Sequence, residues 1–147
     1  MNERVEQKLK ELYCDRMDAE TFNRYVKVCE LIKGDDIAEQ LLNNLTNMAC
    51  EYINVVVNAD MLLRTQALRL EGEEYRQYVQ SLDENRNRKH NALISALHAF
   101  NRYLLKEYED APKGGIYSLS PDSIRDRVAV GDWAGRFVYE IFVNRKK

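Results

Sequence analysis

Asp83, Arg86 and His90 are spaced by three and four residues within L-D-E-N-R-N-R-K-H-N-A-L-I-S-A-L-H-A-F-N-R, Leu82 to Arg102. On a helix that spacing places them one turn apart. A histidine beside an arginine and an oxygen-rich neighbour has the parts of a nucleotide-cleaving site. The imidazole would act as general base, and the guanidinium would stabilise charge on a phosphate. The same residue types also make a hydrogen-bonded polar layer that fixes helix register. R-x-x-x-H alone is an unspecific pattern, so the layer is the simpler reading.

The segment itself reads as helix. At about 100° per residue, Leu93, Leu97, Phe100 and Leu104 share one face. Asp83, Arg86, His90 and Asn101 fall on or beside that face, whereas Arg88, Asn91, Ser95 and Arg102 point outward. Charge turned toward a core is costly unless it is paired. The partners must come from a neighbouring element.

The neighbour is legible from periodicity. Asp35 or Asp36 is placed to cap a long third helix, with Glu39 set as in a capping box. Leu41, Leu45, Met48, Tyr52, Val55, Ala59 and Leu62 then follow in steps of 4 and 3, a heptad seam. Leu42, Ala49, Ile53, Val56, Leu63 and Ala67 run beside it. Two stripes predict a wide buried face and a central helix reaching about Leu70. After Gly72, the periodic run from Tyr75, Val79 and Leu82 through Leu104 predicts a fourth long helix over residues 73 to 108. A break at Ser81, with Glu84 as its capping partner, is the alternative. Basic residues at Arg86, Arg88 and Lys89 would suit a first turn poorly, which favours continuity.

If the two helices fold back at Gly72, Arg86 lies level with Val57 and Asn58, and His90 with Ile53 and Asn54. Asp83 lies level with Asp60. The expected cluster joins Arg86 to Asp60 or Asn58 and sets His90 close to Asn54. The candidate binding or polar-layer residues are thus Asp83, Arg86, His90, Asn91, Asn101, Asn54, Asn58 and Asp60.

Shorter helices complete the chain. Val5, Leu9 and Leu12 mark a first helix over residues 2 to 14. A second, capped by Asp18, carries Phe22, Tyr25, Val26, Cys29 and Ile32 and stops at Gly34. Ala111 to Gly115, A-P-K-G-G, is the clearest loop. Ser120-Pro121 opens a short helix to about Ala129. Asp132 starts a last helix with Trp133, Phe137 and Ile141, and the Arg-Lys-Lys end is expected to fray.

Other chemistry lacks its motifs. Cys14, Cys29 and Cys50 form neither a C-x-x-C pair nor an even disulfide set. No E-x-x-H pair supports a di-iron bundle, and no phosphate-binding glycine loop occurs. His98 belongs to solvent. No metal or cofactor is expected. Two prolines and six glycines in 147 residues favour long helices over a turn-rich sheet. The net charge of -2 offers no global field for nucleic acid. No leader pattern and no apolar run of about 18 residues appear, so a cytoplasmic chain without a membrane span is expected.

The chain resembles a small bacterial family of unknown function, numbered three-two-three-two among such domains. The resemblance rests on E-E-Y-R at Glu73 to Arg76, L-D-E-N-R-N-R-K-H-N-A-L-I-S at Leu82 to Ser95, and Asn101-Arg102. It implies no activity. A weaker resemblance links Arg86 and His90 to the HEPN group of helical nucleotide-binding domains and ribonucleases, whose members act as dimers. It implies a catalytic Arg86–His90 pair and RNA as substrate. The spacing departs from that group, with three intervening residues instead of four to six.

The sequence therefore predicts one all-α domain, a bundle of five or six helices built around a long antiparallel hairpin. Its expected role is a non-enzymatic interaction or scaffold module. The alternative is a HEPN-like ribonuclease or nucleotide-binding domain. The expected partner is a second copy, because the two long helices exceed what 147 residues readily cover, or an unknown protein, with RNA a partner only under the alternative.

Overall fold

The computed structural model describes residues 3–13, 19–117 and 127–144. Five α-helices account for most of them: α1 (Glu3–Tyr13), α2 (Ala19–Leu31), α3 (Asp36–Arg64), α4 (Gly72–Glu107) and α5 (Arg127–Val138). A 3-10 turn (Ala67–Arg69) joins α3 to α4, and a π-helical run (Tyr139–Asn144) continues α5. No strand occurs among the described residues. The all-α bundle expected from periodicity is the architecture observed.

The hairpin of α3 and α4 is its frame, and its ends follow from local chemistry. Asp35 is the N-cap of α3 and accepts a hydrogen bond from the Ala38 amide at 3.1 Å. Glu39 reaches past the cap and accepts from Gly34 N at 3.0 Å. The capping box is thus one residue longer than expected. At the other end, the Thr65 hydroxyl donates back to Met61 O at 2.9 Å, and α3 stops at Arg64. That is six residues short of the expected Leu70, because the chain tightens into the 3-10 turn before reversing. Gly72, at φ +57°, supplies the left-handed backbone of the reversal. Then α4 runs 36 residues without a break. The alternative start at Ser81 is not used, since its hydroxyl donates to Tyr78 O within the helix.

The core is laid across one half of this hairpin. Leu93, Leu97, Phe100 and Leu104 of α4 are fully buried, opposite Leu45 and Ala49 of α3. α5 fills the space above them with Trp133 and Phe137, whose rings stack at 4.9 Å. Tyr117 meets Trp133 edge-on at 5.3 Å. From the other side α1 inserts Val5, Leu9 and Tyr13.

Two element assignments differ from the sequence pattern. The expected face of α2 is rotated: Thr21, Val28 and Ile32 are buried, whereas Phe22, Tyr25, Val26 and Cys29 are half-buried. α2 packs by its edge, with Tyr25 edge-on to Phe137 at 5.7 Å. Likewise α5 begins at Arg127, and Asp132 lies inside it, paired with Arg136 at 3.1 Å. Glycine suits both helical positions because space is short there: a Cβ at Gly131 would crowd the Tyr52 hydroxyl, and one at Gly135 would overlap the Tyr13 hydroxyl. The expected caps Asp18 and Ser120-Pro121, Cys14 and the terminal Arg-Lys-Lys lie outside the described residues.

Candidate functional site

α4 carries its unusual polar residues at the point where burial begins. From Gly72 to Lys89 none of its side chains is buried; His90 is the first, at 7% exposure. The imidazole packs against Tyr52 of α3, with ring centroids 5.7 Å apart. Beside it Lys89 donates to Glu51 across the hairpin at 3.1 Å. These contacts place His90 at the height of Tyr52, within a turn of the level with Ile53 and Asn54 that folding at Gly72 predicts.

Arg86 takes a different partner from the one expected. It bonds Asp83, one turn back on its own helix. Asp60 pairs instead with Arg64 on α3 at 3.4 Å and lines a cleft between α1 and α3 with Arg4, Lys8, Val57 and Met61. Two intrahelical pairs thus replace one cross-hairpin pair. The Arg86 and Asp83 side chains are 28% and 49% exposed. Water reaches the outer part of both side chains, and the local pair is the one with least side-chain entropy to lose. The Arg86 Nε and the Asn54 Oδ1 are buried without a hydrogen-bond partner. Asn58 is half-buried, and Asn91 is exposed on the outward face.

Asn101 belongs to a second group. Its Oδ1 accepts from Ile116 N at 3.0 Å, and its Nδ2 donates to Gly114 O at 3.3 Å. One amide side chain therefore holds the A-P-K-G-G loop on the helix. Gly115, at φ +68°, lies so close that a side chain would overlap Asn101 Oδ1. Arg24 of α2 closes the loop from outside, donating to Lys113 O at 2.6 Å and Gly115 O at 3.0 Å.

A third group was not recognised from the sequence beyond its cap. Asp35 accepts from Tyr108 at 2.7 Å and from Tyr103 at 2.9 Å, tying the start of α3 to the end of α4. The Tyr108 bond, with the Ala38 amide, holds the Asp35 carboxyl below its ordinary value. Bonding to that carboxylate pushes the Tyr108 hydroxyl up to about 12 and raises Tyr103 as well. The hairpin register also places these tyrosines level with Asp35, which is the signal that could have found them. Burial raises the Cys29 and Cys50 thiols, both half-buried.

The Arg86–His90 stretch lies where burial of α4 begins. The imidazole is covered by Tyr52, and the guanidinium is held by Asp83. Three clefts are lined by other residues. One is the α1–α3 cleft, one a groove of about 420 Å³ along Leu9, Tyr13, Tyr52, Val56 and α5, and one lies beside Arg24. Among the described residues no group of three or more His, Cys, Asp or Glu could hold a metal ion, and no helix is long and apolar enough to cross a membrane. The model of a family described as protein of unknown function, DUF3232, matches residues 12–147. No curated protein matches the chain.

Proposed function

Because the chain belongs to this family of unknown function, we propose its role from geometry: a non-enzymatic helical interaction module, in which Arg86 and His90 are structural. The observation that carries this reading is the cover over His90. A general base must reach its substrate directly or through one water. His90 is 7% exposed and faces Tyr52, while Arg86 is engaged by Asp83. The exposed polar surface of α4 and the apolar residues left half-open beyond the core are what a partner would meet.

The alternative, an RNA-cleaving HEPN-like domain using Arg86 and His90, is tested directly. Purified protein and the His90→Ala variant are incubated with total RNA across metal and pH conditions. Intact RNA in both samples is the expected outcome. Cleavage by the parent protein that disappears in His90→Ala would overturn the module reading.

A further inference from the structure

The stripe that is sealed in one half of α4 continues into the other half and opens. Leu93, Leu97, Phe100 and Leu104 are at 0% exposure, yet Tyr75, on the same inward side, is 43% exposed. Tyr78 and Leu82 between them are only half-buried. α5 fills the space over the core half of the hairpin and begins at Arg127, where it meets Tyr52 and Val56. Beyond that level α1 lies along α3, with Arg4 and Lys8 beside Val57, Asp60 and Met61, and this edge of α4 stays half-open. A hairpin covered on its α3 side alone leaves the apolar residues of α4 part-open; a second hairpin laid against α4 can enclose them.

The residues along this open edge are Glu71, the extended N-cap, and on α4 itself Tyr75, Tyr78, Leu82, Asn85 and Lys89, in steps of 4, 3, 4, 3 and 4. That is a heptad seam. It is also self-complementary when reversed about Gln80. Glu71 then falls level with Lys89, Tyr75 with Asn85, and Tyr78 with Leu82. Glu74 and Arg86, on the flanks of the stripe, match in the same way. A two-fold contact requires this property, because residue i must suit residue j in both directions. We infer that two copies of this chain pair through antiparallel α4 arms centred on Gln80, each closing the other's half-open stripe.

Size and charge are both consistent with that occupant. Glu71 to Lys89 spans about 27 Å at 1.5 Å per residue, and a helix pair is about 20 Å wide. The footprint is roughly 500 Å² per copy and about 1,000 Å² for two, the lower bound for a specific contact. Glu71 is exposed at the tip. Lys89 is 34% exposed, within reach of both its own Glu51 and an incoming carboxylate. The outermost face of α4, with Gln77, Gln80, Glu84 and Asn87, is polar and stays in water.

The inference rests on reading the chain as an interaction module, and its test is independent of the RNA assay. Full-length protein is weighed by sedimentation equilibrium from about 1 to 300 µM, a range that brackets micromolar dissociation constants. The expected mass is twice 17.3 kDa at the upper end. Glu71→Lys alone and Lys89→Glu alone each place like charges at both ends of the seam, so each should weaken pairing about ten-fold or more. An equimolar mixture of the two variants restores opposite charges at both ends and should recover the dimer. Circular dichroism of each variant confirms that the fold is retained. A monomer throughout the range overturns the pairing. A dimer indifferent to both reversals, or a mixture that fails to recover, also overturns it and moves any contact elsewhere. RNA cleavage would refute the module reading while leaving this mass measurement unaffected.

Discussion

The two halves of the α3–α4 hairpin are built from the same kind of sequence and end in different states. In the half that runs from His90 to Leu104, every inward residue of the main stripe is sealed by α5, α1 or the facing helix. In the half from Gly72 to Lys89, residues at equivalent helical positions remain open. Helical period alone does not decide burial; the presence of a third layer does. Polar residues follow the same division. His90 and Asn101 lie on the covered side and pack against or bond to groups outside α4. Arg86 and Asp83 lie on the uncovered side and bond each other.

The sharpest break of this contrast comes from the covered half. Trp133→Ala removes the ring stacked on Phe137 and should cost about 3–5 kcal/mol, measured by urea denaturation. Truncation at Gly131 should leave an unstable or aggregating product; an unchanged Tm would show that α5 is peripheral. Next is the loop held by Asn101. Asn101→Ala leaves the buried Ile116 amide without its acceptor and should cost about 1–3 kcal/mol. Gly115→Ala should destabilise as well, because a left-handed glycine would gain a side chain that overlaps Asn101.

A smaller effect is expected at the end joining α3 to α4, where it depends on pH. The Asp35 carboxyl lies below its ordinary 3.8 in the fold, so its stabilisation is complete above that value and fades as pH falls below it. Tyr108 is raised from 10.0 to about 12, so its share is complete below pH 10 and lost between 10 and 12. Asp35→Asn should lower Tm at pH 7 and flatten both limbs of the Tm–pH curve. Parallel curves for variant and parent would remove Asp35 from the account.

The least change is expected in the open half. A deeply buried Arg86 would cost about 3–5 kcal/mol to remove. With its side chain 28% exposed and its partner 49% exposed, Arg86→Ala should cost about 1 kcal/mol or less. Hydrogen exchange sharpens the comparison in one measurement. Amides over 74–85 should exchange faster than those over 93–104 in dilute protein, and the difference should shrink as concentration rises.

Much of this arrangement was legible. Periodicity gave both long helices, and the turn at Gly72 set a register now seen in Lys89–Glu51 and His90–Tyr52. Partner choice was not legible. Height along a hairpin restricts which residues can meet, but exposure decides whether they must. Asp60 and Asp83 each found a nearer cation on their own helix. Asn101 was visible as an inward polar residue, but its partners lie in a loop whose path the helical pattern does not encode. The rotation of α2 escaped for a similar reason, since a short helix with apolar residues on several sides has more than one way to lie down.

The placement of α5 as the cover of the core has a consequence for synthesis. Both stripes of α3 leave the ribosome long before Trp133 and Phe137, the side chains that close the core above it. At roughly 5–20 residues per second, the interval between the end of α3 and the end of α5 lasts several seconds. Once α4 ends at Glu107, the nascent chain carries a finished hairpin frame with its apolar side uncovered until α5 follows. The order of the elements thus makes the growing polypeptide a client for protection against aggregation until its last helix emerges.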